Sequence, residues 1–299
     1  MSVTAQRFAT KSRTWLLIAG LTALLVGIGA LIGGPFLYAF AALAVAMNVA
    51  GYWFSDRIAL KASRAKPVEP GTSPVLEATV QDLARRAQVP VPRLYTIPSE
   101  QPNAFATGRN PQHAAVAVTD GLLQQLPPEQ VESALAHEFG HIRNRDILVS
   151  SIAAMVAGAI AAIANLLQFS LLFGGDDEDA GPLGWIGLLG TIVFAPLAAS
   201  LLQLGVSRQR EYLADATGAE LLGRASPLAD ALETLERRAQ TISLDVNEAT
   251  ASLYIVNPLR REGFATLFST HPPLAERVRR LRALDDRPFR VTAKRIART

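Results

Sequence analysis

His137-Glu138-Phe139-Gly140-His141 is an H-E-x-x-H run. On a helix, positions i and i+4 share a face, so both imidazoles can reach one metal ion. The glutamate between them comes close enough to take a proton from a water at that ion. Zinc held by two histidines and a carboxylate is a hydrolytic centre, and Glu138 is its candidate general base. A catalytic zinc keeps three protein ligands, so a third must come from elsewhere in the chain. Cysteine is excluded because the chain has none, which also excludes a disulfide framework.

The elements that carry these residues are set by long apolar runs. No charged residue occurs between Arg13 and Asp56, between Asp146 and Asp176, or between Asp179 and Arg208. A spanning helix needs roughly 20 apolar residues. Four spans are predicted, near 15–32, 36–54, 147–172 and 183–206. Gly33-Gly34-Pro35 separates the first two, and Pro196 interrupts the last. A cleavable leader would also place basic residues (Arg7, Lys11, Arg13) before an apolar segment. This apolar segment is too long for one, and a second follows at once.

Lysine and arginine give the orientation. Arg7, Lys11 and Arg13 precede the first span; Arg57, Lys61, Arg64 and Lys66 follow the second. Arg143 and Arg145 precede the third, and Arg208 and Arg210 follow the fourth. The loop Asp176-Asp177-Glu178-Asp179 carries no basic residue. The positive-inside rule therefore puts both termini and the histidine run in the cytoplasm. The tail after Asp286 holds Arg287, Arg290, Lys294, Arg295 and Arg298. It reads as a solvated end, with contact to anionic headgroups as the alternative. No nucleic-acid motif, phosphate-binding glycine loop or internal repeat is present.

The organisation predicted is a transmembrane hairpin over 1–61, a first cytoplasmic part over 62–146, spans three and four over 147–206, and a second cytoplasmic part with the basic tail over 207–299. In the first part, Val75, Leu76, Val80, Leu83 and Ala84 recur near helical spacing. Short β-like runs follow at Arg93–Ile97, Ala104–Thr107 and Ala114–Val118. Leu126-Pro127-Pro128-Glu129 reads as a helix start, and from Glu129 that helix runs through the histidine motif. The last part reads as helices near 208–223, 227–242 and 273–284.

This topology selects the third ligand. His141 lies about six residues before the third span, roughly 9 Å at 1.5 Å per residue. Glu211 lies a similar distance beyond the fourth span. Antiparallel helices thus bring His141 and Glu211 to one height above the bilayer. Asp215, four residues on, shares that face and can accept a hydrogen bond from a ligating imidazole. Glu220 competes for the ligand role but lies further from the membrane. His271 stands before Pro272-Pro273 and either shapes a turn or points an imidazole at the oxyanion. Tyr212 is a second candidate oxyanion donor. His113 reads as a loop histidine.

Taken together, His-Glu-Phe-Gly-His-Ile-Arg-Asn-Arg-Asp at 137–146, Ser-Arg-Gln-Arg-Glu-Tyr-Leu-Ala-Asp at 207–215, Pro-Asn-Ala-Phe-Ala-Thr-Gly at 102–108 and Ser-Thr-His-Pro-Pro at 269–273 resemble the HtpX family of membrane zinc endopeptidases, related to the CAAX prenyl proteases. Motif order and the four-span plan extend the resemblance over nearly the whole chain, except the acidic loop and the basic tail. It implies an α+β integral membrane protein: a mostly helical, zincin-like gluzincin domain with a small β-sheet, plus four transmembrane helices. It implies one zinc on His137, His141 and Glu211, with Glu138 as base. It implies that Asn103, Ala104, Phe105, Ala106 and Thr107 form an edge strand that binds substrate. The location implied is a bacterial inner membrane, and the substrates are damaged or unfolded membrane proteins. A non-catalytic scaffold or chaperone with structural zinc is the rival, but it would have no use for Glu138. A transporter is disfavoured because the spans carry no charge.

Overall fold

A computed structural model describes residues 34–153, 208–242, 253–256 and 272–285, with residue 251 and scattered positions between 18 and 30. Of the predicted spans at 147–172 and 183–206, only residues 147–153 fall among these, and they are helical. The predicted span at 15–32 is described at scattered positions. His271, the acidic loop and the basic tail lie outside the described residues.

Helix α1 spans Phe36–Ala62, and its stretch Leu37–Ala62 is long and apolar enough to cross a membrane. Tyr38, Val45 and Trp53 are 77%, 63% and 52% exposed, so these large apolar side chains face largely outward. Asn48 Nδ2 donates to Thr22 Oγ1 at 2.8 Å, which ties α1 to the segment before it. The helix continues eight residues past the predicted end of the span at 54. There Ala59 and Leu60 become buried beneath the sheet.

The sheet is mixed, in the order β1-β2-β4-β3, with β1 Lys66–Pro67, β2 Arg93–Ile97, β3 Ala104–Thr107 and β4 Ala115–Thr119. Strand β4 runs parallel to β2 and antiparallel to β3, with Ala106 opposite Val116. Every residue of β3 and β4 is buried. Successive side chains point to opposite faces. Ala104, Ala106, Val116 and Val118 therefore join the main helical core, while Phe105, Ala115 and Ala117 pack with Ala59, Leu60 and Tyr254. A strand covered on both faces reads as a continuous apolar run, which is what this sequence shows at both places.

Helix α2, Pro74–Ala87, buries Leu76, Val80, Leu83 and Ala84, whereas Val75 is 74% exposed. The predicted apolar face thus holds except at its first member, which the helix turns outward. Helix α3, Asp120–Gln125, starts with the Thr119 side chain accepting from the Leu122 N–H. Helix α4, Pro128–Asn144, carries the histidine motif. Among the described residues of the last part lie α5 Arg208–Leu222, α6 Ser226–Thr241 and α7 Leu274–Asp285. Helix α4 packs on α5 and α6, and α7 packs on both α5 and α6.

Candidate metal centre

Small residues let α4 and α5 approach closely. A Cβ on Gly140 would stand 2.7 Å from the carbonyl oxygen of Ala214, and one on Gly218 would stand 3.1 Å from the His137 nitrogen. Glycine inside a helix costs about 0.5–1 kcal/mol relative to alanine. Here it allows a backbone contact that no other residue permits at Gly140. The crossing lays Glu211 of α5 against both histidines of α4.

His137, His141 and Glu211 each offer one donor atom, and these atoms lie within 4.8 Å of one another. The two Nε2 atoms are 3.2 Å apart. His141 Nε2 lies 3.6 Å from Glu211 Oε1, and His137 Nε2 lies 3.7 Å from Glu211 Oε2. Tetrahedral ligands about 2.1 Å from one ion stand about 3.4 Å apart. The donor set therefore fits a single small cation. Glu220, the competing carboxylate, is exposed and pairs with Arg143 at 3.3 Å.

Both imidazoles are held from behind. His137 Nδ1 lies 2.9 Å from Asp215 Oδ1, and His141 Nδ1 lies 3.1 Å from Asp146 Oδ1. An Nδ1–H donated to each carboxylate leaves both Nε2 lone pairs facing Glu211. Asp146 reaches His141 because of how α4 ends. Arg145 adopts the left-handed region at φ 61°, the Arg145 N–H bonds Ile142 O, and the Asp146 N–H bonds His141 O. This is a Schellman ending, and it folds residue 146 back over the last turn.

Behind Asp215 stands Arg277 of α7, 1% exposed. Its Nε donates to Asp215 Oδ2 at 2.9 Å and its Nη2 to Asp215 Oδ1 at 2.7 Å, a two-pronged pair. Nη2 also lies 3.3 Å and 3.4 Å from the two ring nitrogens of His137, so the guanidinium packs against that ring rather than donating to one atom. Burial opposes the charge of Asp215, but Arg277 and His137 together outweigh it and hold the carboxyl down at about 2. Burial lowers the pKa of His137. For His141, burial is outweighed by Asp146 and Glu211, which push it up to about 10. A metal ion must displace that proton to bind.

Glu138 is 2% exposed, and burial pushes its carboxyl up to about 8. The main chain of Ala106 in β3 lies beside it and opposes that rise. The predicted edge strand thus lies at one edge of the sheet, beside the candidate base. Its first half is covered. The Ile255 N–H donates to Ala104 O at 3.2 Å. Asn103 lies just before the strand, and its Nδ2 donates to Val256 O at 2.8 Å. An open edge over 103–107 is therefore corrected to one whose start is occupied by residues 253–256, with Tyr254 packed edge-on against Phe105 at 5.1 Å.

Tyr212 packs its ring beneath Arg280 of α7, with Cζ 3.9 Å from the centroid. His113 is exposed in a short turn, where its Nδ1 lies 2.7 Å from Asn110 Oδ1. Sequence reasoning gave no role to Asp146 or Arg277. Asp146 sat inside the motif at 137–146, but its part depends on the helix ending. Arg277 had a signal: it shares a helix face with Leu274 and Leu281, where a basic residue is buried only when it is paired.

The model of Peptidase family M48 matches residues 70–285. A protein named Protease HtpX homolog from Syntrophobacter fumaroxidans is 49% identical over 282 residues, covering 92% of this chain and 99% of the relative. Relatives of the same name from Persephonella marina and Pyrococcus furiosus are 50% and 48% identical over 275 residues. The crystal structure of S. mikatae Ste24p is similar with a TM-score of 0.48 and 21% identity, over 93% of this chain and 66% of that one. A family match across most of the chain, and relatives at half identity over nearly their full length, make this chain a member of peptidase family M48 and a metalloprotease.

Proposed function

We propose that the protein is a zinc-dependent endopeptidase of the bacterial inner membrane. It hydrolyses peptide bonds of misfolded or damaged membrane proteins at the cytoplasmic face. The observation that carries this reading is the buried Glu138, set between the two histidines and beside the main chain of β3. A metal site that served structure alone would not place an unligated carboxylate there.

His137, His141 and Glu211 would hold the ion. Zinc, when bound, supplies Lewis acidity that acidifies a water and polarises a carbonyl. Glu138 takes the proton from that water on a carboxylate oxygen and passes it to the leaving amide nitrogen. Burial raises the proton affinity of this carboxylate, which favours its taking a proton from water. Asp215 and Asp146 keep the imidazoles oriented, and Arg277 holds Asp215. An extended substrate pairs with the Ala106–Thr107 end of β3, next to Glu138. Main-chain pairing gives affinity with little demand on sequence, which suits unfolded substrates. Helix α1 and the one-sided basic residues support the membrane location.

The test is metal analysis of the purified full-length protein, combined with degradation of an unfolded membrane protein in vesicles. Stoichiometric zinc and cleavage lost on chelation support the reading. A different metal with full activity would replace zinc. Equal cleavage of soluble unfolded chains would remove the preference for membrane substrates.

A further inference from the structure

The turn joining β3 to β4 is tied to the end of the apolar stretch of α1. Arg109 Cζ lies 4.6 Å over the ring of Trp53. Trp53 sits with Tyr52 and Phe54 at the level where the first charges after the apolar run, Asp56 and Arg57, appear. Aromatic rings at the end of a span mark the headgroup layer. The turn itself is built rigidly. Gly108 has φ 136°, and a Cβ there would stand 2.5 Å from His113 O. Asn110 then caps the following turn by accepting from the His113 N–H.

Strand β3 descends toward that level. Phe105 packs with Ala59 and Leu60, which lie about 10 Å further along α1 than Trp53 at 1.5 Å per residue. Arg109, four residues later, has reached Trp53. A second tie agrees. Thr107 Oγ1 lies 2.8 Å from Ser151 Oγ, on the helical stretch that leads from Asp146 into the next apolar run. Two segments that approach the bilayer thus meet the same end of β3.

We infer that the β3–β4 turn, residues 108–114, docks into the headgroup layer of an anionic bilayer. Arg109 and the exposed Arg57 supply the positive charge that meets the lipid phosphates, each stacked on an aromatic ring of α1. The inference rests on the membrane reading above and deepens it. Ala106, beside Glu138, lies three residues before Arg109, about 10 Å at 3.3 Å per residue. The polypeptide that pairs there is one just emerging from the membrane surface, and the bonds cut are those within that reach of the headgroups.

The chain has no cysteine, so single labels can be placed cleanly. Gln112→Cys, in the turn, Val45→Cys, on α1, and Gln124→Cys, beyond the far end of β4, each take a fluorophore in the full-length protein. The proteins are reconstituted in phosphatidylethanolamine–phosphatidylglycerol vesicles, with a nitroxide on either the headgroup or the acyl chain. The label at 112 should lose most of its emission to the headgroup nitroxide, the label at 45 to the acyl-chain nitroxide, and the label at 124 to neither. If the label at 45 is quenched while that at 112 behaves like that at 124, docking of the turn is wrong and the span stands. If the label at 45 is not quenched, the span reading fails and the docking falls with it.

Discussion

The main chain of Ala106 lies beside the carboxylate of Glu138 and favours its charged form. The strand proposed to receive substrate and the group proposed to move its proton therefore adjoin. A substrate strand laid along β3 meets the base without any further rearrangement of α4. Glu138→Gln keeps the size and shape of the side chain. It should keep metal and fold while losing about 10²–10⁴-fold in turnover, measured as single-turnover cleavage by the metal-loaded variant. Near-wild-type turnover would take the proton transfer away from Glu138.

Metal retention should follow distance from the donor set. Glu211→Ala removes a ligand and should leave the purified protein metal-poor. Asp146→Ala removes the acceptor behind His141, and such losses typically weaken affinity about 10–100-fold. Glu220→Ala deletes an exposed pair with Arg143, a kind worth about 0–1 kcal/mol, and should be silent. Competition with a fluorescent chelator gives all three affinities. A metal-free Glu220→Ala protein beside a metal-replete Glu211→Ala protein would reverse the assignment.

Arg277 should matter to folding more than its place on a surface helix suggests. Arg277→Met leaves Asp215 buried with its main counter-charge gone, a change that typically costs about 3–5 kcal/mol. Arg277→Lys should recover little, because a point charge cannot match both carboxylate oxygens. Urea unfolding of the chelated protein reads both. Two variants that unfold like wild type would show that the two-pronged pair is not needed.

Alkaline stability should depend on Tyr254. Its side chain is fully buried, and burial raises its pKa from 10.0 to about 12. The unfolded chain therefore loses this proton first as pH rises. The contribution is complete below pH 10.0 and is lost as pH climbs through about 12, at about 1.4 kcal/mol per unit. Tyr254→Phe should flatten that part of the unfolding profile. A variant with the same alkaline slope would place the titration elsewhere.

Topology has its own check. Reporter fusions after Ala65 and at the C-terminus should report the cytoplasm, and an insertion near Asp177 should report the outside. A cytoplasmic signal from Asp177 would break the four-span plan.

The metal site was legible where helical period applied. Four-residue spacing puts His137 and His141 on one face, and Glu211 stands beside both of them. Strand β3 was found at its full extent, and β4 was displaced by one residue, because covered strands show as apolar runs. Helix α3 was missed, since six residues cannot display a period. The cover over the start of β3 left no local trace either. Its bonds join Asn103 to Val256, 153 residues apart in sequence, and only the folded chain reveals that pairing. Arg277 was hidden for a related reason: its partner Asp215 lies 62 residues away.

The contact between Gly140 and Ala214 bears on how such chains are recognised. In the pattern H-E-x-x-H the two middle letters are treated as wildcards. Neither is one here. Phe139 is wholly enclosed, and the second position tolerates no side chain because the Ala214 carbonyl fills its place. A search that demands glycine there, and a small residue four positions before the partner glycine on the second helix, would discard chance matches that the bare pattern admits. The rejection power lies in the letters the pattern ignores.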